Sequence, residues 1–252
     1  MRLATLAAAI SSAALGFATP AFAGDTLPGL LAAITDAASL EAPLVAEGKA
    51  EIDGIKGKVE DHVVIVERAA KDANAPEQIL VAFDKAKTRL LSLGPSPLLF
   101  AAGGKTKTAG PDEIVTPSSF SAEDFLPFQP ERCAVTRIAD LSDEQFTILC
   151  EPKKPPSQYM LMVYKFDREM AVPRQILLYK DTNTNLVRMV KSDDFTQVGK
   201  RWRPKRVVLQ DFKLQTRDTL SLEWRVEPKI PAEAFDPKSF AAAPLPAAAK
   251  AP

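Results

Sequence analysis

The side chains in this chain that could carry out acid/base chemistry include the acidic doublets Glu60-Asp61, Glu123-Asp124 and Asp193-Asp194, and a single histidine, His62. A glycosidase-type mechanism needs two carboxylates converging on one bond, supplied from different strands. Adjacent residues on a strand point to opposite faces, so no doublet aims both acids at one substrate atom. His62 precedes the run "VVIVE" and reads as a partly exposed strand residue; one histidine supplies neither a multi-imidazole metal site nor a relay. "GGKT" at Gly103 to Thr106 has a phosphate-loop ending. The glycine that such a loop needs five positions before Gly104 is replaced by Leu99, so the backbone nest for phosphate is missing. No Gly-x-Ser-x-Gly elbow and no Ser-x-x-Lys pair occurs. These residues predict no catalytic centre, no metal and no cofactor.

The elements around them say more. Met1-Arg2 leads into the apolar run "LATLAAAISSAALGFATPAFA", closed by Ala21-Phe22-Ala23. A cation, an apolar core and a small-x-small end are the pattern of a cleaved secretory leader, so residues 1–23 are expected to be removed and the domain to begin near Gly24. No cysteine follows that site, which argues against a lipid anchor. The chain holds 32 Lys and Arg against 32 Asp and Glu. A neutral balance speaks against nucleic acid as a partner, because phosphate binding needs a basic excess.

Behind Asp25-Thr26, the residues Leu27, Leu30, Leu31 and Ile34 recur at helical spacing, predicting one short helix able to lie on a sheet. From about residue 43 the period changes to two. Pieces such as "LVAEGKAEID", "KVEDHVVIVER", "YMLMVYKFD", "RQILLYKD", "KRVVLQDF" and "DTLSLEWRV" are separated by short polar turns such as "DTNTN". About ten consecutive strands without intervening helices predict an antiparallel meander curled into a barrel or half-barrel. Residues 24–240 are expected to form this one domain, and "AAAPLPAAAKAP" at 241–252 a disordered Ala/Pro tail.

If "DLSD" at 140–143 is a hairpin turn, Cys133 falls opposite Cys150, with Arg137 beside Phe146 and Val135 beside Ile148. Two cysteines in register in a secreted chain predict a structural disulfide. Two apolar rows stand out: Met160, Met162, Tyr164 and Phe166 share one face of a strand, and Leu220, Leu222, Trp224 and Val226 share one face of another. Such rows are either closed core or the lining of a concave pocket that a single helix leaves partly open. Methionine suits the second use, since it adapts to irregular apolar partners.

Four stretches carry a family resemblance. "PSSFSAEDF" (Pro117 to Phe125) resembles the Ser-Asp-Phe-Ser-x-Glu-Asp-Leu stretch of the LolA-like outer-membrane lipoprotein-sorting proteins, with Ser118-Ser119-Phe120-Ser121-Ala122 lacking one acid and one aromatic of that pattern. "SQYMLMVYKFDREMAVPRQILLYKD", "VKSDDFTQVGKRWRPKRVVLQDFKLQTRDTLSLEW" and "IPAEAFDPKSF" are similar to its later strands, its Gly-x-x-Trp-x-Pro turn and its closing segment. The likeness runs over roughly residues 43–240 and is strongest after 117.

The resemblance implies a mainly β fold: a curved antiparallel sheet forming an incomplete, half-open β-barrel covered by a few short helices. It implies a periplasmic, monomeric carrier of lipoprotein acyl chains or lipid, lined by the two apolar rows and lidded by Leu30, Leu31 and Ile34. An inner-membrane transporter and an outer-membrane acceptor would be its partners. An adaptor of an envelope export or assembly complex, carrying no lipid, is the alternative reading. On the residues alone, the "SSFSAEDF" acids are expected to mark a serine-capped helical turn pinned to the sheet edge by Phe120, Phe125 and Phe128.

Overall fold

The computed structural model describes residues 26–54, 57–69, 77–94, 96–153 and 157–246, without the side chains of 138–142. The expected leader at 1–23 and the end of the tail at 247–252 lie outside the described residues.

One helix, α1 (Leu27–Ala38), opens the domain. Thr26 caps it by accepting a hydrogen bond from the Gly29 amide, Pro28 occupies the first turn where no amide is needed, and Leu30 and Ile34 form its buried stripe. The strands follow: β1 (Leu44–Gly54), β2 (Gly57–Arg68), β3 (Gln78–Phe83), β4 (Thr88–Ser92), β5 (Leu98–Phe100), β6 (Lys107–Thr108), β7 (Cys133–Ser142), β8 (Gln145–Pro152), β9 (Leu161–Asp167), β10 (Pro173–Tyr179), β11 (Leu186–Val198), β12 (Arg201–Asp211) and β13 (Thr216–Val226). Among the described residues they make one antiparallel sheet in the order β6-β5-β4-β3-β2-β1-β13-β12-β11-β10-β9-β8-β7. Among the described strands only β1 with β13 joins elements far apart in the chain. The end strands β6 and β7 do not pair, so the sheet stays a half-barrel.

The period-two pattern becomes a continuous inner face through the register. Leu99, Leu90, Val81, Ile65, Ala46 and Trp224 stand side by side across β5, β4, β3, β2, β1 and β13. Ile65 of β2 and Leu178 of β10 belong to the same buried cluster, so the two arms of the sheet bend toward one another. Gly48 lies on this face between Leu222 and Val63. A Cβ there would come within 1.8 Å of the Ser221 carbonyl oxygen, so only glycine lets β13 approach.

The chain between β6 and β7 crosses the concave side from one sheet edge to the other. Val115, Phe120 and Ala122 of this crossing segment are buried in the inner cluster, closed on themselves by the Ile114–Ser121 bridge. The opposite face of β2 to β4 packs under the C-terminal segment, where Phe235, Phe240 and Ala243 are buried and Arg89 donates to the carbonyls of Phe240 and Ala243. Packing therefore continues through Ala243 to the half-buried Leu245, beyond the expected start of the tail at 241.

Cys133 and Cys150 are disulfide-bonded, with Cα atoms 5.0 Å apart. The register differs from expectation. Val135 pairs with Cys150, Cys133 with Pro152 and Arg137 with Ile148, so the bond joins diagonal rather than opposed residues. The turn sits at Asp143-Glu144, between the paired Ser142 and Gln145, and an irregularity between Ile138 and Ser142 takes back part of the resulting shift.

Candidate functional site

Glu123 and Asp124 lie in a 3-10 turn, Glu123–Phe125, within the crossing segment. The serines do not cap it. Ala122 is the N-cap, and the carboxylate of Asp124 instead accepts from the Ser121 amide (2.7 Å) and hydroxyl (2.9 Å). The same carboxylate accepts from the Tyr159 hydroxyl (2.6 Å) and from Arg188 Nη1 (2.7 Å), and Arg188 Nε donates to Asp211 (2.7 Å). Glu123 turns the other way and accepts from the Gln158 amide (2.9 Å). Asp218 of β13 accepts from the Ser119 amide, and Thr216 donates to the Ser119 hydroxyl.

Burial pushes the carboxyls of Glu123 and Asp218 above the usual carboxylate range, and burial followed by the Asp124 charge pushes the Tyr159 phenol up. Burial opposes the charge of Arg188, but Asp124, Tyr159 and Asp211 together outweigh it and hold the guanidinium firmly protonated. Although Asp218 Oδ1 is buried without a partner, the other bonds make the arrangement a clamp tying the crossing segment to β11, β12 and β13. The phenylalanines of "SSFSAEDFLPF" follow suit. Phe120 stacks on Phe125 (5.1 Å) in the inner cluster rather than at a sheet edge, while Phe128 packs tilted against Tyr164 (4.7 Å) in the cluster that includes Cys133 of the edge strand β7.

Beside this clamp the concave side remains open. A cleft of about 200 Å³ lies between the C-terminal half of α1, the 125–128 stretch and the inner face of the sheet. Its apolar wall includes Ile34, Ile79, Phe125, Phe128, Phe166 and Val172, and its charged members are Glu67, Glu77 and Arg203. Arg203 Nε donates to Glu67 (2.8 Å). Burial first, then the Glu67 charge, pushes the Glu77 carboxyl up to about 7. Arg201 binds the C-terminal end of α1, donating to the Asp36 carbonyl and to the Ser39 hydroxyl.

Of the residues singled out as lining, Phe166 and the lid residue Ile34 reach the cleft wall. Tyr164 is buried beneath α1 with Leu30, while Met162 and Leu31 pack partly against the same cluster. Leu220 and Leu222 are closed core under the crossing segment, and Trp224 packs at its margin, its indole donating to the Pro204 carbonyl. Val226 faces a separate depression with Leu40 and Leu44, and Met160 is half exposed. His62 sits 2.6 Å from Asp84, both about half exposed. Asp61 accepts from the amides of His62, Lys85 and Ala86, bracing the turn between β3 and β4.

Sequence reasoning passed over Arg188, Asp211, Asp218, Glu67, Glu77 and Arg203. The signal was strand parity: Arg188 is in phase with Val190, and Asp211 with Leu209, so each charge stands on the core face.

Residues 108–241, more than half of the chain, match a family model described as "Uncharacterized protein"-like. The chain belongs to that family. Among solved structures, an outer membrane lipoprotein-sorting protein domain from Vibrio parahaemolyticus is similar over 84% of this chain and 97% of that one, with a TM-score of 0.76 at 13% identity. A DUF1329 family protein from Desulfovibrio piger is similar over 84% and 98%, with a TM-score of 0.72 at 13% identity. A LolA superfamily protein from Nitrosomonas europaea is similar over 84% and 98%, with a TM-score of 0.65 at 9% identity. At these identities the shared property is the fold, and this chain has the LolA-like fold. A search of curated proteins finds none that matches. No helix among the described residues is long and apolar enough to cross a membrane.

Proposed function

We propose that the protein is a periplasmic carrier that holds an acyl chain of a lipid or lipoprotein in the cleft beneath α1, between an inner-membrane donor and an outer-membrane acceptor. The observation that carries this reading is the cleft itself: apolar side chains from α1, the crossing segment and the sheet face one unfilled space. The leader-like N-terminus and the LolA-like fold support it, as does the lipoprotein-sorting role named for the Vibrio domain.

At about 200 Å³ the cleft falls below the roughly 300–1,000 Å³ of most ligand sites, which suits one short chain rather than several. Larger cargo requires α1 to move, and α1 is built for it. The helix is short, and its hold on the sheet comes from Leu30, Leu31, Ile34 and the Arg201 contacts.

The test is native mass spectrometry of the secreted protein together with titration of a fluorescent fatty-acyl probe. Bound lipid and saturable uptake are expected. Ala37→Trp, which projects an indole into the cleft from the half-buried side of α1, is expected to reduce uptake at least about tenfold while leaving the melting temperature nearly unchanged. A folded wild-type protein that is empty and takes up no probe would sink the reading.

A further inference from the structure

The cleft is charged at one end only. α1 presents Ile34, Ala37 and Ala38 to it, and neither the 125–128 stretch nor Ala171 to Pro173 adds a charge. The charges facing Glu77 are Glu67 from β2 and Arg203 and Arg201 from β12. Both cations make contacts elsewhere, and Arg201 Nε is itself buried without a partner. Arg203 is shared between Glu67 and the Trp202 carbonyl and lies 6.0 Å from the Trp224 ring; Arg201 holds the end of α1. Glu77 is left over, and its Oε1 is buried without a hydrogen-bond partner. A buried acceptor that lacks a donor is a standing cost, and a ligand able to supply the donor removes it.

Building on the carrier reading above, we propose that this end of the cleft recognises the head of the bound amphiphile and selects a primary ammonium. The chain would lie against Ile34, Phe128 and Phe166, with the ammonium donating to Glu77. Two carboxylates and one guanidinium line the cleft itself, while Arg201 stands outside it on the end of α1, so a cationic head fits beside the unpartnered Glu77 oxygen. A fatty carboxylate would bring a third anion beside Glu67 and Glu77 and is disfavoured. An ammonium also brings three donors to one point, enough for Glu77 and for solvent at the mouth.

The experiment is calorimetric titration of the full-length secreted protein with decylamine and with decanoate, which share a chain length and differ in head charge. Above neutral pH, decylamine is expected to bind at least about tenfold more tightly, the value of one charge-assisted hydrogen bond. The isosteric Glu77→Gln is expected to bring the two within about threefold of each other, because a neutral amide neither attracts the ammonium nor repels the carboxylate. The wild-type preference should also weaken as the pH falls through about 7, where Glu77 takes up a proton, and should stay flat in Glu77→Gln. Equal binding of both ligands by wild type, or a preference that Glu77→Gln leaves intact, overturns the head-group assignment and leaves the carrier standing. Failure of both ligands to bind a folded wild-type protein overturns the carrier reading and this inference with it.

Discussion

Arg188 is the residue on which the buried polar chemistry turns. Its ion pairs join Asp124 of the crossing segment to Asp211 of β12, and all three side chains are almost wholly removed from solvent. Removing the cation leaves two buried carboxylates facing each other, so Arg188→Met is expected to cost about 3–5 kcal/mol, read as a drop in the urea unfolding midpoint. Replacing Asp124 and Asp211 by Asn in the same variant should recover part of that loss. Glu77 gives a second, pH-dependent prediction. Its carboxyl titrates near 7 in the folded protein against an ordinary 4.5. Between those values the native state holds a proton that the unfolded chain has released, so this group's contribution to stability falls as pH rises. Glu77→Gln is therefore expected to melt at a higher temperature than wild type above about 7, with the gap closing toward 4.5. A constant gap across that window would show that Glu77 does not titrate there. The sequence displays both residues plainly, and their strand parity marks them as inward-facing. It does not reveal which charge meets which partner, because Arg188 and Asp124 are brought together by a crossing that no local pattern encodes.

At the scale of elements, the alternating pieces and the turns between them were legible, since a two-residue period has no other stable reading at these lengths. Register was less so. The β7–β8 hairpin turns at Asp143-Glu144 rather than at the centre of "DLSD", and the irregularity after Ile138 takes back only part of that shift, so Cys133 ends diagonal to Cys150. A slip of this kind leaves the hydrophobic pattern intact, so composition cannot choose between registers. The disulfide forms all the same, because diagonal partners share a face. It ties the edge strand β7 to β8 across a separation of 17 residues, and the chain-entropy estimate for a loop of that size is about 3 kcal/mol. Cys133→Ala with Cys150→Ala is expected to lower stability by about that amount, with the rise in amide exchange confined to β7 and β8 and the central strands β1 and β13 still protected. Exchange spreading evenly over the sheet would show that the bond supports the whole fold. β5 and β6 were too short to be read as strands of their own. Their place is fixed by pairing, β5 with β4 and β6 with β5, and not by any pattern of their own.

For the whole molecule the deciding event is the closure of β1 on β13, which sets the first hairpins beside the last and bends the sheet so that Ile65 and Leu178 share one cluster. Once bent, the sheet is partly filled by its own connection. Phe120 and its neighbours occupy the concave side above Leu220 and Leu222, and the unfilled remainder lies toward α1. The two apolar rows that look equivalent in the sequence are thereby separated. Leu220 and Leu222 are sealed beneath the crossing segment, while the buried Phe166 and Ile34 underlie the cleft beside α1. By itself the sequence determined the kind of secondary structure, the one helix and its capped start, the joining of the two cysteines and the mostly β fold. Each of these follows from spacing along the chain. Only the tertiary structure decided which apolar face stays open, that the "SSFSAEDF" acids serve as a clamp, and that Glu77 ends up unpartnered at the charged end of a cleft. Those outcomes depend on segments far apart in the chain meeting across a curved sheet, and curvature is a property of the assembled pairings rather than of any stretch of residues.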